Sequence, residues 1–305
     1  MLYLQNTWTP GKGKNFKSID PSSGEIIWEG NFATSLQINT ALKSSNQAHR
    51  NWSVQSFSQR LKVIQKFYSL LEQNKATMSK LITSETGKVP VDAASEVGAT
   101  LAKLQNSVLA YQKRTGSQSN KFGGMTASLK HASHGVLSVI GPFNFPLHLP
   151  NGHITPALLA GNTIIFKPSE STPMVAEYMM LLWSQAGLPD GVINLVHGGK
   201  EVVRALCKDP LNKGILFTGS YSVGKQLSKI MADHPEKILA LELGGNNPMV
   251  VWATRKINAA ADLIFESAFI SSGQRCTCAR RLILPNTKDG KKILDRLKKK
   301  IHSLS

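Results

Sequence analysis

Cysteine is scarce in this chain: 305 residues carry three thiols, at positions 207, 276 and 278. An odd, sparse set excludes the paired framework of a small disulfide-stapled secreted fold and points to a reducing compartment. Metal chemistry is short of ligands too. Cys276 and Cys278 supply two of the four donors that structural zinc needs, and no nearby histidine completes the set. Long apolar runs are also lacking. The longest apolar tract, between Gly135 and Phe166, is broken by Pro142, Pro146, Pro150 and Pro156. It falls well short of the roughly 20 unbroken residues of a membrane helix. The opening Met1-Leu2-Tyr3-Leu4-Gln5-Asn6 has no basic segment followed by an apolar one. Neither a secretory leader nor a membrane partner is expected, and the expected location is the cytoplasm.

Acidic residues are few: 19 Asp and Glu stand against 36 Lys and Arg, a formal charge of +17. Such a surplus suits nucleic acid, anionic small molecules or plain solubility. Aromatics, at 7%, do not interleave with the basic residues, and no zinc-finger or RNA-binding signature is present. The densest basic stretch, Lys288 to Lys300, shares its segment with Ile293, Leu294, Leu297 and Ile301 at helical spacing. That pattern predicts an amphipathic helix with a solvated basic face, and no nucleic-acid partner is expected. With 41% hydrophobic and 18% charged residues, a disordered chain is excluded as well.

At roughly 150 residues per domain, the length corresponds to two domains or one large one. Turn-rich segments, Pro10-Gly11-Lys12-Gly13 and Asp20-Pro21-Ser22-Ser23-Gly24, punctuate strand candidates such as Glu25-Ile26-Ile27-Trp28. Helices are predicted over Leu36 to Trp52, Ser58 to Asn74 and about Val91 to Lys113, where apolar residues recur every three or four positions. From Gly135 the pattern alternates. Strand candidates 136–140, 163–166, 192–196, 214–217 and 237–241 are interleaved with helical stretches 174–186, 202–207 and 223–232. Alternation of this kind predicts an α/β fold whose mostly parallel sheet is covered on both faces. Such sheets bind ligands at the carboxyl ends of their strands.

The residues with chemical potential cluster at those ends. Gly219-Ser220-Tyr221-Ser222-Val223-Gly224 joins a strand to a helix, as a phosphate-binding turn would, although a plain Ser-capped helix reads the same way. Lys167 and Glu170 follow another strand and pair a donor with an acceptor, as ribose hydroxyls require. The same segment also reads as a turn in which Ser169 caps the next helix and Glu170 complements its dipole. Cys207 reads as a small buried hydrophobe. Cys276 follows a glycine turn among Arg275, Arg280 and Arg281, whose charge would favour its thiolate. Glu242 ends an apolar strand before Gly244-Gly245, a place for a general base or for a carboxylate bonded to the turn. Asn144, between Pro142 and Pro146, offers an amide donor to an oxyanion or serves as a turn residue. His148 and His153 are pocket or structural histidines.

In order, Pro142-Phe143-Asn144-Phe145-Pro146, Phe166-Lys167-Pro168-Ser169-Glu170, Phe217-Thr218-Gly219-Ser220, Leu241-Glu242-Leu243-Gly244-Gly245 and Gly273-Gln274-Arg275-Cys276 resemble the aldehyde dehydrogenase superfamily. The likeness covers essentially the whole chain, including Trp8 to Pro21. Three stretches are similar to the branch that oxidises succinylglutamate semialdehyde in arginine catabolism: Leu149 to Ile154, Lys237 to Pro248 and Cys276 to Arg281. The resemblance implies a Rossmann-like, doubly wound sheet, with residues 1–242 an NAD-binding domain and residues 243–305 the start of a catalytic domain. It implies Cys276 as nucleophile, Asn144 as oxyanion donor together with the Cys276 backbone N–H, and Glu242 as the base that activates water. Lys167 and Glu170 would contact the adenosine ribose, and Gly219 to Gly224 the pyrophosphate. The implied cofactor is NAD, with NADP the alternative, and the implied substrate is a small aldehyde bearing carboxylates. Cys278 matches the branch but not the nucleophile position.

Superfamily members are longer than this chain. The expectation is therefore a C-terminally truncated polypeptide, without the Glu-Ile-Phe-Gly-Pro segment whose glutamate holds the nicotinamide ribose. Residues 116–134 resemble the oligomerisation arm of a superfamily that is usually homo-oligomeric. Loss of its partner strand would impair assembly and expose apolar faces. A catalytically incomplete chain that at most binds dinucleotide is the alternative reading.

Overall fold

The computed structural model describes residues 1–303, which divide into two compact units, Met1–Glu242 and a second that begins at Leu243. In the first unit, two very short strands, β1 (Leu2–Leu4) and β2 (Thr7–Thr9), precede a hairpin of β3 (Asn15–Ile19) and β4 (Ile26–Asn31). Four helices follow: α1 (Ser35–Trp52), α2 (Phe57–Gln73), α3 (Lys75–Thr86) and α4 (Pro90–Arg114). The first two start at complete capping boxes, Thr34 with Gln37 and Ser56 with Gln59, which satisfy first-turn N–H groups reciprocally. A second hairpin, β5 (Ser117–Phe122) and β6 (Met125–Lys130), is exposed along its whole length.

The alternating half then runs β7 (Val136–Ile140), α5 (His148–Leu159), β8 (Thr163–Lys167), α6 (Pro173–Gln185), β9 (Ile193–Leu195), α7 (Lys200–Lys208), β10 (Asn212–Gly219), α8 (Tyr221–Met231) and β11 (Ile238–Leu243). Every residue of β7 and β8 is buried, so side chains pointing both ways meet cover and both faces of the sheet are packed. Among the described residues, seven strands form the main sheet in the order β11-β10-β7-β8-β9-β1-β2. Pairs β10–β7, β7–β8 and β8–β9 are parallel. From β7 the chain winds outward to β8 and β9, then crosses back to lay β10 on the other side of β7. That reversal is the topological switch of a doubly wound sheet, and it lies between the carboxyl ends of β7 and β10.

One departure from the sequence expectation is the antiparallel edge. β1 pairs antiparallel with both β9 and β2, so the sheet is mixed. Three-residue strands are too short to display a period, which is why pattern reading passes over them. The predicted strand at residues 25–28 forms as β4, but it pairs with β3 outside the main sheet.

Another departure concerns the start of α6. Among the described residues its N-cap, Thr172, makes no side-chain capping bond, and Ser169 instead accepts the N–H of Ser171. Its first-turn N–H groups are satisfied by Glu85 of α3, which accepts from Met174 at 2.7 Å and from Val175 at 2.9 Å. Burial pushes the Glu85 carboxyl up to about 8. In the unfolded chain it ionises near the ordinary carboxylate value of 4.5, so between these values the folded state holds a proton that the unfolded state has released. The contribution of this group to stability therefore falls as pH rises through that window, by at most about 1.4 kcal/mol per pH unit. Urea midpoints measured at several pH values inside the window should decline more steeply for the parent than for Glu85→Gln. Parallel declines would show that Glu85 does not titrate there.

In the second unit, β12 (Asn247–Val250) pairs in parallel with β13 (Ala279–Ile283). Helices α9 (Ile257–Phe269) and α10 (Lys288–His302) join through Ile264, Ile293 and Leu297. The basic stretch is thus an amphipathic helix, with a narrower apolar stripe than spacing predicts: Leu294 and Ile301 stay exposed. Among the described residues no helix is long and apolar enough to cross a membrane, and no group of three or more His, Cys, Asp or Glu could hold a metal ion.

Candidate active site

In the first unit, the singled-out residues follow consecutive strands of the sheet. Asn144 is half-buried in the loop between β7 and α5. Lys167 is the last residue of β8, and its side chain is almost fully buried. Its Nζ donates to the carbonyls of Pro168 (2.6 Å) and Gly198 (2.7 Å) and stands 3.4 Å from Glu170 Oε1. Burial lowers the pKa of Lys167, against the raising effect of Glu170. The partly exposed Glu170 carboxylate is therefore paired with a buried ammonium at a strand end.

Gly219 closes β10, where a Cβ would lie 2.5 Å from the Phe217 ring. A side chain here would require the Phe217 ring to move, and glycine leaves the turn as bare backbone. Ser220 caps α8, its Oγ accepting the N–H of Val223 at 3.4 Å, and lies 3.1 Å from Ser222 Oγ. Tyr221 and Val223 are exposed on the first turn and Gly224 is buried. First-turn N–H groups and the positive end of a helix make an anion-binding geometry. Glu242 is exposed near the end of β11. Its charge reaches His153 of α5: burial lowers the His153 pKa, Glu242 raises it and Lys103 lowers it. His153 Nε2 lies 3.3 Å from Thr218 Oγ1 at the end of β10. Lys103 carried no signal in the sequence, and Thr218 stood out only as part of the Phe217-to-Ser220 stretch.

In the second unit, Cys276 is exposed, whereas Cys278 is buried. In the first, Cys207 is buried as well, and burial pushes its thiol up to about 11. Cys276 follows a tight turn in which Ser271, Ser272 and Gly273 all have positive φ, at 57°, 55° and 67°. A left-handed backbone costs a non-glycine residue about 1–2 kcal/mol, so the turn needs external support. Arg275 donates to Ser271 Oγ at 3.0 Å and Arg280 to the Gly273 carbonyl at 2.9 Å. Arg281 donates to the Asn246 carbonyl at 3.1 Å. The arginines expected to favour a thiolate thus also hold the loop. Asn247, which the sequence reading missed, donates to the carbonyls of Cys276 (2.7 Å) and Cys278 (3.3 Å) and fixes the backbone on which the exposed thiol stands.

The family model described as "Aldehyde dehydrogenase family" matches residues 8–305. The chain belongs to the aldehyde dehydrogenase family. An N-succinylglutamate 5-semialdehyde dehydrogenase of Escherichia coli (strain K12) is 49% identical over 296 residues, which are 97% of this chain and 60% of the relative. A crystal structure of a NAD-dependent benzaldehyde dehydrogenase from Corynebacterium glutamicum superposes with a TM-score of 0.88 at 27% identity, covering 97% of this chain and 66% of that one. An NADP-dependent glyceraldehyde-3-phosphate dehydrogenase from Bacillus halodurans C-125, complexed with NADP, gives 0.90 at 26% identity over 99% of this chain and 64% of that one. This aldehyde dehydrogenase family chain therefore spans about 60% of the length of the curated relatives it matches.

Proposed function

We propose that this chain carries the dinucleotide-binding fold and the nucleophile of an NAD(P)-dependent aldehyde dehydrogenase, acting on N-succinylglutamate 5-semialdehyde. The observation that carries the reading is the single exposed thiol, Cys276, on a propped left-handed turn, while Cys207 and Cys278 are buried. A reactive cysteine needs access as well as charge.

In this mechanism the Cys276 thiolate attacks the aldehyde carbon, and the oxygen that becomes negative is held by the Asn144 side-chain amide and the Cys276 N–H. The dinucleotide, when bound, supplies the two-electron acceptor that turns the thiohemiacetal into a thioester. Glu242 then takes a proton from water, the water oxygen adds to the thioester carbon, and the C–S bond breaks to release the carboxylate and restore the thiolate. The Gly219 turn with the α8 N-terminus would hold its pyrophosphate, and the partly exposed Glu170, braced by the buried Lys167 ammonium, would meet its ribose. A substrate with two carboxylates suits a chain of net charge +17.

The test is to mix the purified chain with N-succinylglutamate semialdehyde and either NAD or NADP and follow reduced-nicotinamide absorbance. Turnover is expected, with kcat/KM at least about a hundred-fold above that for benzaldehyde, because only the first substrate carries carboxylates for a basic chain to attract. A second reading, a chain that binds dinucleotide without turnover, rests on the Gly219 turn and the Lys167–Glu170 pair alone. Quenching of tryptophan fluorescence by NAD with no absorbance change would select it. Neither binding nor turnover would reject both.

A further inference from the structure

Two charged side chains with no exposure to solvent lie behind the loop that carries Asn144. Lys88, just before α4, and Glu96, within it, have side chains that are 0% exposed, with Lys88 Nζ 2.8 Å from Glu96 Oε2. The other carboxylate oxygen, Oε1, accepts the backbone N–H groups of Leu147 (3.0 Å) and His148 (3.1 Å), where the loop turns into α5. Leu147 is the N-cap of that helix and has no side-chain acceptor to offer. Glu96 takes over the capping role from about fifty residues away in the sequence. The Lys88 ammonium also stands 3.4 Å from the centre of the Phe145 ring, in the arrangement of a cation–π contact. Asn144 is therefore followed by three residues out of four with a direct grip on this pair: Phe145, Leu147 and His148.

A buried ion pair is a poor device for stability alone, since apolar residues of similar volume often do as well or better. What an ion pair supplies is direction, through hydrogen bonds of fixed geometry. We propose that Lys88 and Glu96 are positioning residues that clamp segment 143–148 and so aim the Asn144 amide at the developing oxyanion. The clamp stands on the contacts above. Its consequence for Asn144 rests on the proposed reaction.

The test follows backbone amide exchange in the full chain for Glu96→Ala and Glu96→Gln. Glu96→Ala removes the acceptor and should speed exchange at Leu147 and His148 by about 100-fold, the scale expected when two charge-assisted bonds are lost. Glu96→Gln keeps a neutral acceptor in the same place and should speed it only about three- to ten-fold. In both variants the amides of β7 and β8 should stay within about two-fold of the parent. Unchanged exchange at 147 and 148, or a rise spread equally over both strands, overturns the clamp. Should Glu96→Ala not fold, Glu96→Gln decides by the same local-against-global criterion. Turnover is the second arm: Glu96→Gln should lower kcat about ten-fold with KM within two-fold, since a misaimed oxyanion donor is felt only in the transition state. Loosening of the loop in a chain whose unsubstituted form oxidises no aldehyde supports the clamp and rejects the proposed reaction.

Discussion

Cys276→Ser should abolish aldehyde-dependent reduction of the dinucleotide, lowering the rate by at least about 10³-fold. A serine hydroxyl at the same place is a far weaker acid than a thiol, so almost none of it is anionic at neutral pH. The structure adds a measurement that does not depend on turnover. Cys276 is exposed while Cys207 and Cys278 are buried, and burial raises the Cys207 thiol to about 11. The native chain should take up one equivalent of iodoacetamide rapidly, and Cys276→Ser should take up none on that timescale. Denaturant should bring uptake to three equivalents in the parent and two in the variant. Full reduction of dinucleotide by the serine variant, or equal labelling of both native chains, would remove Cys276 from the nucleophile role.

The alternating half of the fold is legible because strands such as Val136–Ile140 and Thr163–Lys167 are short, mostly apolar runs, buried on both faces. The intervening helices α6, α7 and α8 carry strong punctuation, including Pro173 at the start of α6 and Ser220 before α8. The hairpin edges are less legible: β1 has three residues and no room for a period. Site residues at strand ends, such as Lys167 and Glu242, betray themselves by sitting where an apolar run stops. Their supports do not. Glu85 and Lys88 fall between the predicted helices and Glu96 within one, and only the fold brings them beneath the loops after β7 and β8. Asn247 reads as part of a glycine-asparagine turn until its bonds to the Cys276 and Cys278 carbonyls appear. Residues that do chemistry leave local marks in a sequence; residues that hold them act across long separations and leave few.

Glu242→Gln should separate the two halves of the proposed reaction. If Glu242 is the base that activates water, the amide cannot accept the proton, but nothing in the first half needs it. Expected is one equivalent of reduced dinucleotide per chain in a rapid burst, followed by a steady state slower by about 10²- to 10⁴-fold, the usual contribution of a general base. The chain should then gain the mass of the acyl group on Cys276, and hydroxylamine should release it. Unaltered steady-state turnover would count decisively against a base at this position. A second signal comes from His153. Burial lowers its pKa, and the Glu242 carboxylate is the group that raises it in opposition. Removing that charge leaves burial and Lys103 acting in the same direction, so the His153 ring should titrate at a lower pH in Glu242→Gln than in the parent, as followed by NMR of its ring protons. This shift tests the placement of the carboxylate at the ends of β10 and β11 without requiring catalysis. A burst without the shift would keep Glu242 as the base but place its carboxylate away from His153, whereas a shift without a burst would leave Glu242 as a neighbour of His153 with no part in deacylation.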